Sequence, residues 1–142
     1  MTKSSEATPC VLLVEDDDAV RRSVQLLLQS RGYEVRAYSS AVGLARQPEA
    51  LRCRCMIADL MMPQADAIKL LGELRADGWN GKTILISGYL NSDWEAKALA
   101  AGYDRVFHKP ISETVLVRAV AELLSAAQPA APHDALLPPD IP

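Results

Sequence analysis

The sequence predicts an α/β fold: β-α repeated five times around a doubly wound, five-stranded parallel sheet. Three observations carry that reading. Short, nearly continuous apolar runs (CVLLV, CMIAD, TILIS) suit strands buried on both faces. Segments of helical period alternate with them, which is the pattern of helices covering a parallel sheet. Aromatic residues make up only 5% of the chain, so the core must be built from Val, Leu, Ile and Ala. Each strand-to-strand crossover is then expected to be right-handed.

The elements follow in order. Residues 10–14 form the first strand, closed by the acids EDDD. Val20, Val24, Leu27 and Leu28 then recur at helical spacing, with Arg21, Arg22, Gln25 and Gln29 between them, and Gly32 suits a left-handed stop. Residues 33–38 read as the second strand, and Ser39 or Ser40 as the cap of a short helix ending near Pro48. CMIAD, 55–59, is the third strand. Pro63 lies in the loop before a helix with Ile68, Leu71 and Leu74 on its apolar side, closing near Gly78. TILIS, 83–87, is the fourth strand, followed by an alanine-rich helix at 92–101 that stops at Gly102. RVFH, 105–108, is a weaker fifth strand before Lys109 and Pro110. Ser112 is placed to cap a last helix, with Glu113 in its favourable first turn.

At 142 residues the chain fits one domain, read as 10–126 between a flexible N-terminus, 1–9, and a Pro/Ala-rich tail, 127–142, expected to be disordered. A plain C-terminal tail and a truncated linker to an output domain are both open for that tail. The net charge of −3 offers no basic footprint, so direct nucleic-acid binding is not expected. The apolar run VLLV is cut short by EDDD, which argues against a signal peptide or membrane span. Cys10, Cys53 and Cys55 make no zinc pattern. They read as small reduced side chains in a reducing compartment, the cytoplasm.

Ligand sites of parallel α/β sheets lie beyond the carboxyl ends of the strands. Glu15 and Asp16 close strand one, Asp59 closes strand three, Ser87 closes strand four and Lys109 follows strand five. Three carboxylates in one small pocket repel one another and call for a hard cation such as Mg²⁺. An aspartate beside that ion can attack phosphorus and become an acyl phosphate. Lys109 and the Ser87 hydroxyl could then contact phosphoryl oxygens. Each residue also has a plainer explanation: Asp16 or Asp17 as a helix cap, Ser87 as a turn residue, Lys109 as a solvated loop lysine. Only the joint placement at one sheet edge favours the chemical reading.

With those residues in view, the sequence resembles the receiver domain of bacterial two-component response regulators (the CheY-like superfamily, including its stand-alone members) over about residues 10–126. VLLVEDDDAVRRSV resembles that family's opening strand, acidic pair and first helix; DLMMP its phosphoacceptor strand end; ILISG its fourth strand; HKP its lysine followed by a proline, usually cis. The resemblance implies a flavodoxin-like strand order of 2-1-3-4-5. It implies that Asp59 accepts phosphate from a histidine kinase or histidine phosphotransfer protein, and that Glu15, Asp16, Asp59 and the Met61 backbone carbonyl hold Mg²⁺. Ser87 and Lys109 would bind the phosphoryl oxygens. The implied partners are the phosphodonor, a downstream protein effector and a second copy of the chain in a phosphorylation-dependent homodimer. No enzyme activity is expected beyond self-phosphorylation and self-dephosphorylation.

Departures from the family pattern sharpen the expectations. The usual Tyr or Phe three residues before the lysine is Val106, with Phe107 next, so the ring that normally switches the output face is missing. Gly88 and Tyr89 follow Ser87. SGY resembles a subgroup of stand-alone receivers in alphaproteobacterial general-stress pathways, and it makes Tyr89 a candidate replacement aromatic. Met61 and Tyr89 flank the path of attacking water, and neither can orient it. The acyl phosphate is therefore expected to be lost slowly, and faster from a Tyr89→Ala variant, as a time course of phosphate loss would read. Three rivals stay open: a pseudo-receiver scaffold, an N-terminal fragment of a larger transcriptional regulator, and a small Mg²⁺-dependent phosphohydrolase. The last lacks the acid–base aspartate expected two residues past the nucleophile, where Met61 stands.

Overall fold

In the computed structural model, which describes residues 8–59, 64–88 and 91–126, the apolar runs become the five strands of one sheet. They are β1 (Cys10–Glu15), β2 (Glu34–Tyr38), β3 (Cys55–Asp59), β4 (Lys82–Ser87) and β5 (Arg105–His108). All pairings are parallel and the order is 2-1-3-4-5, as expected. The helices are α1 (Asp18–Ser30), α2 (Pro48–Leu51), α3 (Gln64–Ala76), α4 (Ser92–Ala101) and α5 (Glu113–Ala126), with a 3₁₀ turn at Leu44–Arg46.

The period-two alternation of the strands divides the core between two faces. Val11, Leu13, Cys55, Ile57, Ile84 and Ile86 pack with Leu28 of α1 and Leu116, Val120 and Leu123 of α5. Leu12, Val14, Met56, Ala58 and Leu85 pack on the other side with Leu71 and Leu74 of α3 and Trp94 and Ala98 of α4. A sheet buried this way has no solvent face, which is why its strands read as unbroken apolar runs.

The second crossover departs from expectation. No helix begins at Ser39 or Ser40. Gly43 takes a left-handed φ of 73°, the 3₁₀ turn follows, and Pro48 opens the four-residue α2 rather than ending a helix. A proline is tolerated at the first helical position because the N–H it lacks would have no intrahelical partner there. Pro9, expected in a flexible segment, accepts a hydrogen bond at its carbonyl from Glu34 N–H at 3.0 Å. The expected tail, 127–142, and the first seven residues lie outside the described residues.

Two other ends follow sequence logic closely. Gly102, at φ 119°, stops α4, and the Ser112 hydroxyl accepts from Val115 N–H at 3.1 Å to cap α5. Tyr103, directly after the α4 stop, buries its ring and donates its hydroxyl to the Ala67 carbonyl at 2.8 Å, tying the β5 approach to α3. Tyr103→Phe removes this bond while the carbonyl keeps its place in the helical ladder, and is expected to cost about 1 kcal/mol in urea unfolding.

Candidate functional site

The parallel register of β1 and β3 sets Glu15 directly opposite Asp59. Both are buried, at 1% and 6% exposure, and they stand with Thr83 as the buried polar residues among the described ones. Period-two alternation puts both on the α1/α5 face of the sheet.

Three local contacts fix the end of β1. Asp17 caps α1, accepting from Val20 N–H at 3.0 Å, and its own N–H donates to Glu15 Oε2 at 2.9 Å. Arg21, one turn into α1, donates from Nη1 to the Glu15 carbonyl at 3.0 Å while Nη2 pairs with Asp18 at 2.7 Å. The capping role foreseen for Asp16 or Asp17 falls to Asp17. The anchoring role of Arg21 was not foreseen, and its position one turn after the acids is the only trace of it in the sequence.

Lys109 follows β5, next to a cis peptide bond to Pro110. Its Nζ lies 2.8 Å from Asp59 Oδ1 as an ion pair. Burial alone would lower the lysine pKa, but the carboxylates of Asp59, Glu15 and Asp16 outweigh it and the net shift is upward. The Glu15 carboxyl is pushed up to about 8, first by burial and then by the neighbouring Asp59, against the Asp17 N–H and Lys109. Without a further cation Glu15 therefore holds a proton at neutral pH.

Glu15 Oε1 is buried without a hydrogen-bond partner, and the buried Asp59 Oδ1 has the Lys109 ammonium as its partner. Two such oxygens on facing strand ends fit a hard divalent cation that keeps much of its own water. The third expected carboxylate is not buried with them. Asp16, one residue past the strand, is exposed and lines a separate cavity of about 480 Å³ with Ser39, Ser40, Asp66, Lys69 and Glu73. No three acidic, His or Cys side chains among the described residues converge as a metal cage. Asp16 still contributes charge to the field at Lys109. The Met61 carbonyl and Tyr89 lie outside the described residues.

Ser87 ends β4 opposite His108, and its carbonyl accepts from Lys109 N–H at 3.0 Å, so the strand pairing itself brings Ser87 and Lys109 to one edge. Val106 packs against the core face that holds Trp94 and Tyr103, whereas Phe107 packs against the opposite one. Phe107 cannot stand in for the missing ring at Val106, because it lies across the sheet.

A groove of about 570 Å³ opens between α1 and the start of α5. It is lined by Val20, Val24, Leu27, Ile111 and Leu116, and it reaches Asp59 and Lys109. The reactive edge is thus approached along an apolar surface.

Comparison with known proteins decides the family. The response regulator receiver domain pattern matches residues 11–121. This chain belongs to that family. The receiver is 32% identical over 117 residues to the response regulator protein TmoT of Ectopseudomonas mendocina, covering 82% of this chain and 53% of TmoT. It is 31% identical to the transcriptional regulatory protein FixJ of Azorhizobium caulinodans, covering 88% of this chain and 60% of that one. The receiver thus spans between half and two thirds of these relatives' length. Among solved structures, FixJ-N superposes with a TM-score of 0.71 at 30% identity, covering 86% of this chain and 97% of that one. The signal receiver domain of a Luxo repressor protein from Vibrio parahaemolyticus gives 0.76 at 21% identity, a likeness of fold, covering 84% and 92%. The receiver therefore belongs to the response regulators of two-component systems, and no helix among its described residues is long and apolar enough to cross a membrane.

Proposed function

We propose that this receiver is the phosphoacceptor of a two-component or phosphorelay pathway, taking a phosphoryl group onto Asp59 from a histidine kinase or histidine phosphotransfer protein. The observation that carries the reading is the placement of the buried Asp59 carboxylate, between Glu15 of the neighbouring strand and the Lys109 ammonium at 2.8 Å. A buried carboxylate flanked by a fixed positive charge is poised for attack on phosphorus. An Asp59 oxygen forms the O–P bond as the donor's N–P or O–P bond breaks, and the electron pair of the broken bond leaves with the donor. Lys109, already on the Asp59 oxygen, follows the charge onto the phosphoryl group. Ser87, at the adjoining strand end, donates its hydroxyl to a phosphoryl oxygen.

Glu15 and Asp59 are the residues that would hold Mg²⁺, with Asp16 adding charge from outside and the Met61 carbonyl implied by family resemblance. Bound there, Mg²⁺ neutralises phosphoryl charge and orients the group for in-line transfer. The groove between α1 and α5 supports a donor that presents an apolar helical surface beside Asp59. Output is proposed to pass through protein contacts, with a downstream effector or a phosphorylation-dependent homodimer, in the cytoplasm. The receiver is read as a signalling protein rather than an enzyme acting on other substrates.

Incubation with acetyl phosphate, with and without Mg²⁺, tests the proposal by intact mass and by sizing. One added phosphoryl group, dependent on Mg²⁺, is expected. A chain that gains none under either condition would be a scaffold rather than a phosphoacceptor.

A further inference from the structure

At the opposite edge of the sheet, Cys10 and Cys53 are joined as a disulfide, with Cα atoms 4.6 Å apart and a sequence separation of 43. The expectation that these thiols are simply reduced is overturned for this pair. Cys55, two residues on, remains a free thiol, fully buried. Along the chain it is Cys53 and Cys55 that stand close. The parallel pairing of β1 with β3 instead sets Val11 opposite Cys55, so Cys10, one residue before Val11, and Cys53, two before Cys55, meet at the entry to both strands.

The surroundings hold this junction in place. Arg54 N–H donates to the Cys10 carbonyl at 3.0 Å, and the Trp79 indole N–H donates to the Cys53 carbonyl at 2.7 Å. A cavity of about 510 Å³ opens beside Cys53, lined by Arg52, Arg54, Lys82, Asn80 and Trp79. No ion pair among the described residues engages Arg52, Arg54 or Lys82. The cavity is therefore positively charged, and nothing acidic lines it. Cationic neighbours favour thiolate character and draw in anionic reagents. Disulfides in a reducing compartment are usually transient and redox-sensing, which fits a pair beside such a cavity better than a permanent staple.

We propose that Cys10 and Cys53 form a reversible dithiol–disulfide pair, oxidised by a small anionic disulfide of the glutathione type drawn to the Arg52/Arg54/Lys82 cavity, and that closing it clamps the entry ends of β1 and β3. Cys10, the more exposed of the two, attacks one sulfur of the external disulfide as its thiolate. The external S–S bond breaks and the first thiol departs with its electron pair, taking up a proton. Cys53 then attacks the mixed disulfide at the Cys10 sulfur and releases the second external thiol. Two protein thiols are oxidised and one external disulfide is reduced to two thiols. Cys55 takes no part, since burial pushes its thiol up to about 12 and keeps it protonated. The clamp lies about five strand residues, roughly 16 Å, from Asp59, so it acts on the stability of the fold rather than on the phosphoryl chemistry.

The test uses the full chain equilibrated in buffers from pure reduced to pure oxidised glutathione, then denatured and alkylated for intact mass and peptide mapping. Three alkylated thiols are expected at the reduced end. At the oxidised end one is expected, on Cys55, together with a peptide linking Cys10 to Cys53. The oxidised form should melt higher on the order of 10 °C, as closing a loop of this length implies. Cys10→Ser and Cys53→Ser should each abolish the linked peptide and the melting difference, and Cys55→Ser should keep both. An Arg52→Ala/Arg54→Ala variant should react about tenfold more slowly with oxidised glutathione and at an unchanged rate with neutral hydroxyethyl disulfide. Three alkylated thiols across the whole series, a glutathione adduct that never closes, or a linkage through Cys55 would overturn the pair. Equal melting of the two forms would overturn the clamp, and equal loss of rate with both reagents would overturn the role of the cavity. Labelling by acetyl phosphate in both redox states reports on Asp59 independently of every one of these outcomes.

Discussion

Asp59→Asn is expected to lose acetyl phosphate labelling below detection while folding at least as well as the parent chain. The substitution keeps the shape of the side chain and removes its nucleophilic carboxylate. Folding should survive because the parent carboxylate carries an unfavourable partner: Glu15 sits opposite it in register, and both are buried. Removing the Asp59 charge lifts one of the penalties that keep Glu15 protonated, whereas Lys109, the opposite charge, keeps access to solvent at 36% side-chain exposure. Melting temperature and Mg²⁺-dependent labelling should therefore move apart, with the first equal or higher and the second gone. A variant that still gains a phosphoryl group would place the acceptor elsewhere. A variant that loses labelling only because it unfolds would leave the chemistry without its support, and circular dichroism separates the two.

The fold was legible because its signals are local and mutually consistent. Glycines 32 and 102 stop helices where the apolar period ends, Ser112 and Asp17 cap them, and three apolar runs without alternation announce strands buried on both faces. The segment between β2 and β3 departs from the sequence expectation because Pro48 carries two opposite meanings, ending one helix or starting the next, and local sequence does not choose between them. At the site, the strand-end positions of Asp59, Glu15, Ser87 and Lys109 followed from counting along strands. The exclusion of Asp16 from the buried pair did not, because it depends on where the strand stops: Glu15 is the last residue of β1, and one step later the side chain points toward α3 and solvent. Arg21 and the Cys10–Cys53 junction were invisible for a related reason. Both are contacts between residues that only a specific register or helix entry brings together.

Glu15→Gln is expected to remove most of the pH dependence of stability in the metal-free receiver between about pH 5 and pH 9. The Glu15 carboxyl is raised from 4.5 to about 8 in the fold, so the folded state holds a proton that the unfolded chain has already released over this range. Stability from this group is fully present below pH 4.5 and is lost as pH rises through about 8, the reverse of an ordinary salt-bridged carboxylate. The loss amounts to a few kcal/mol by that linkage. Gln at this position mimics the protonated acid. Its carbonyl oxygen can still accept from Asp17 N–H, and its amide can donate toward Asp59, so the variant should be the more stable chain at pH 9 and nearly equal at pH 5. A Mg²⁺ ion held by Glu15 and Asp59 as proposed would compete with the same proton. In the parent chain its apparent affinity should rise close to tenfold per pH unit up to about pH 8 and then level. The Gln variant should bind weakly and with little pH dependence. Urea midpoints across pH, with and without Mg²⁺, measure both effects. Should the Gln variant retain the parent's slope, the proton resides on another group and the Glu15–Asp59 pair is not the one that a cation must discharge.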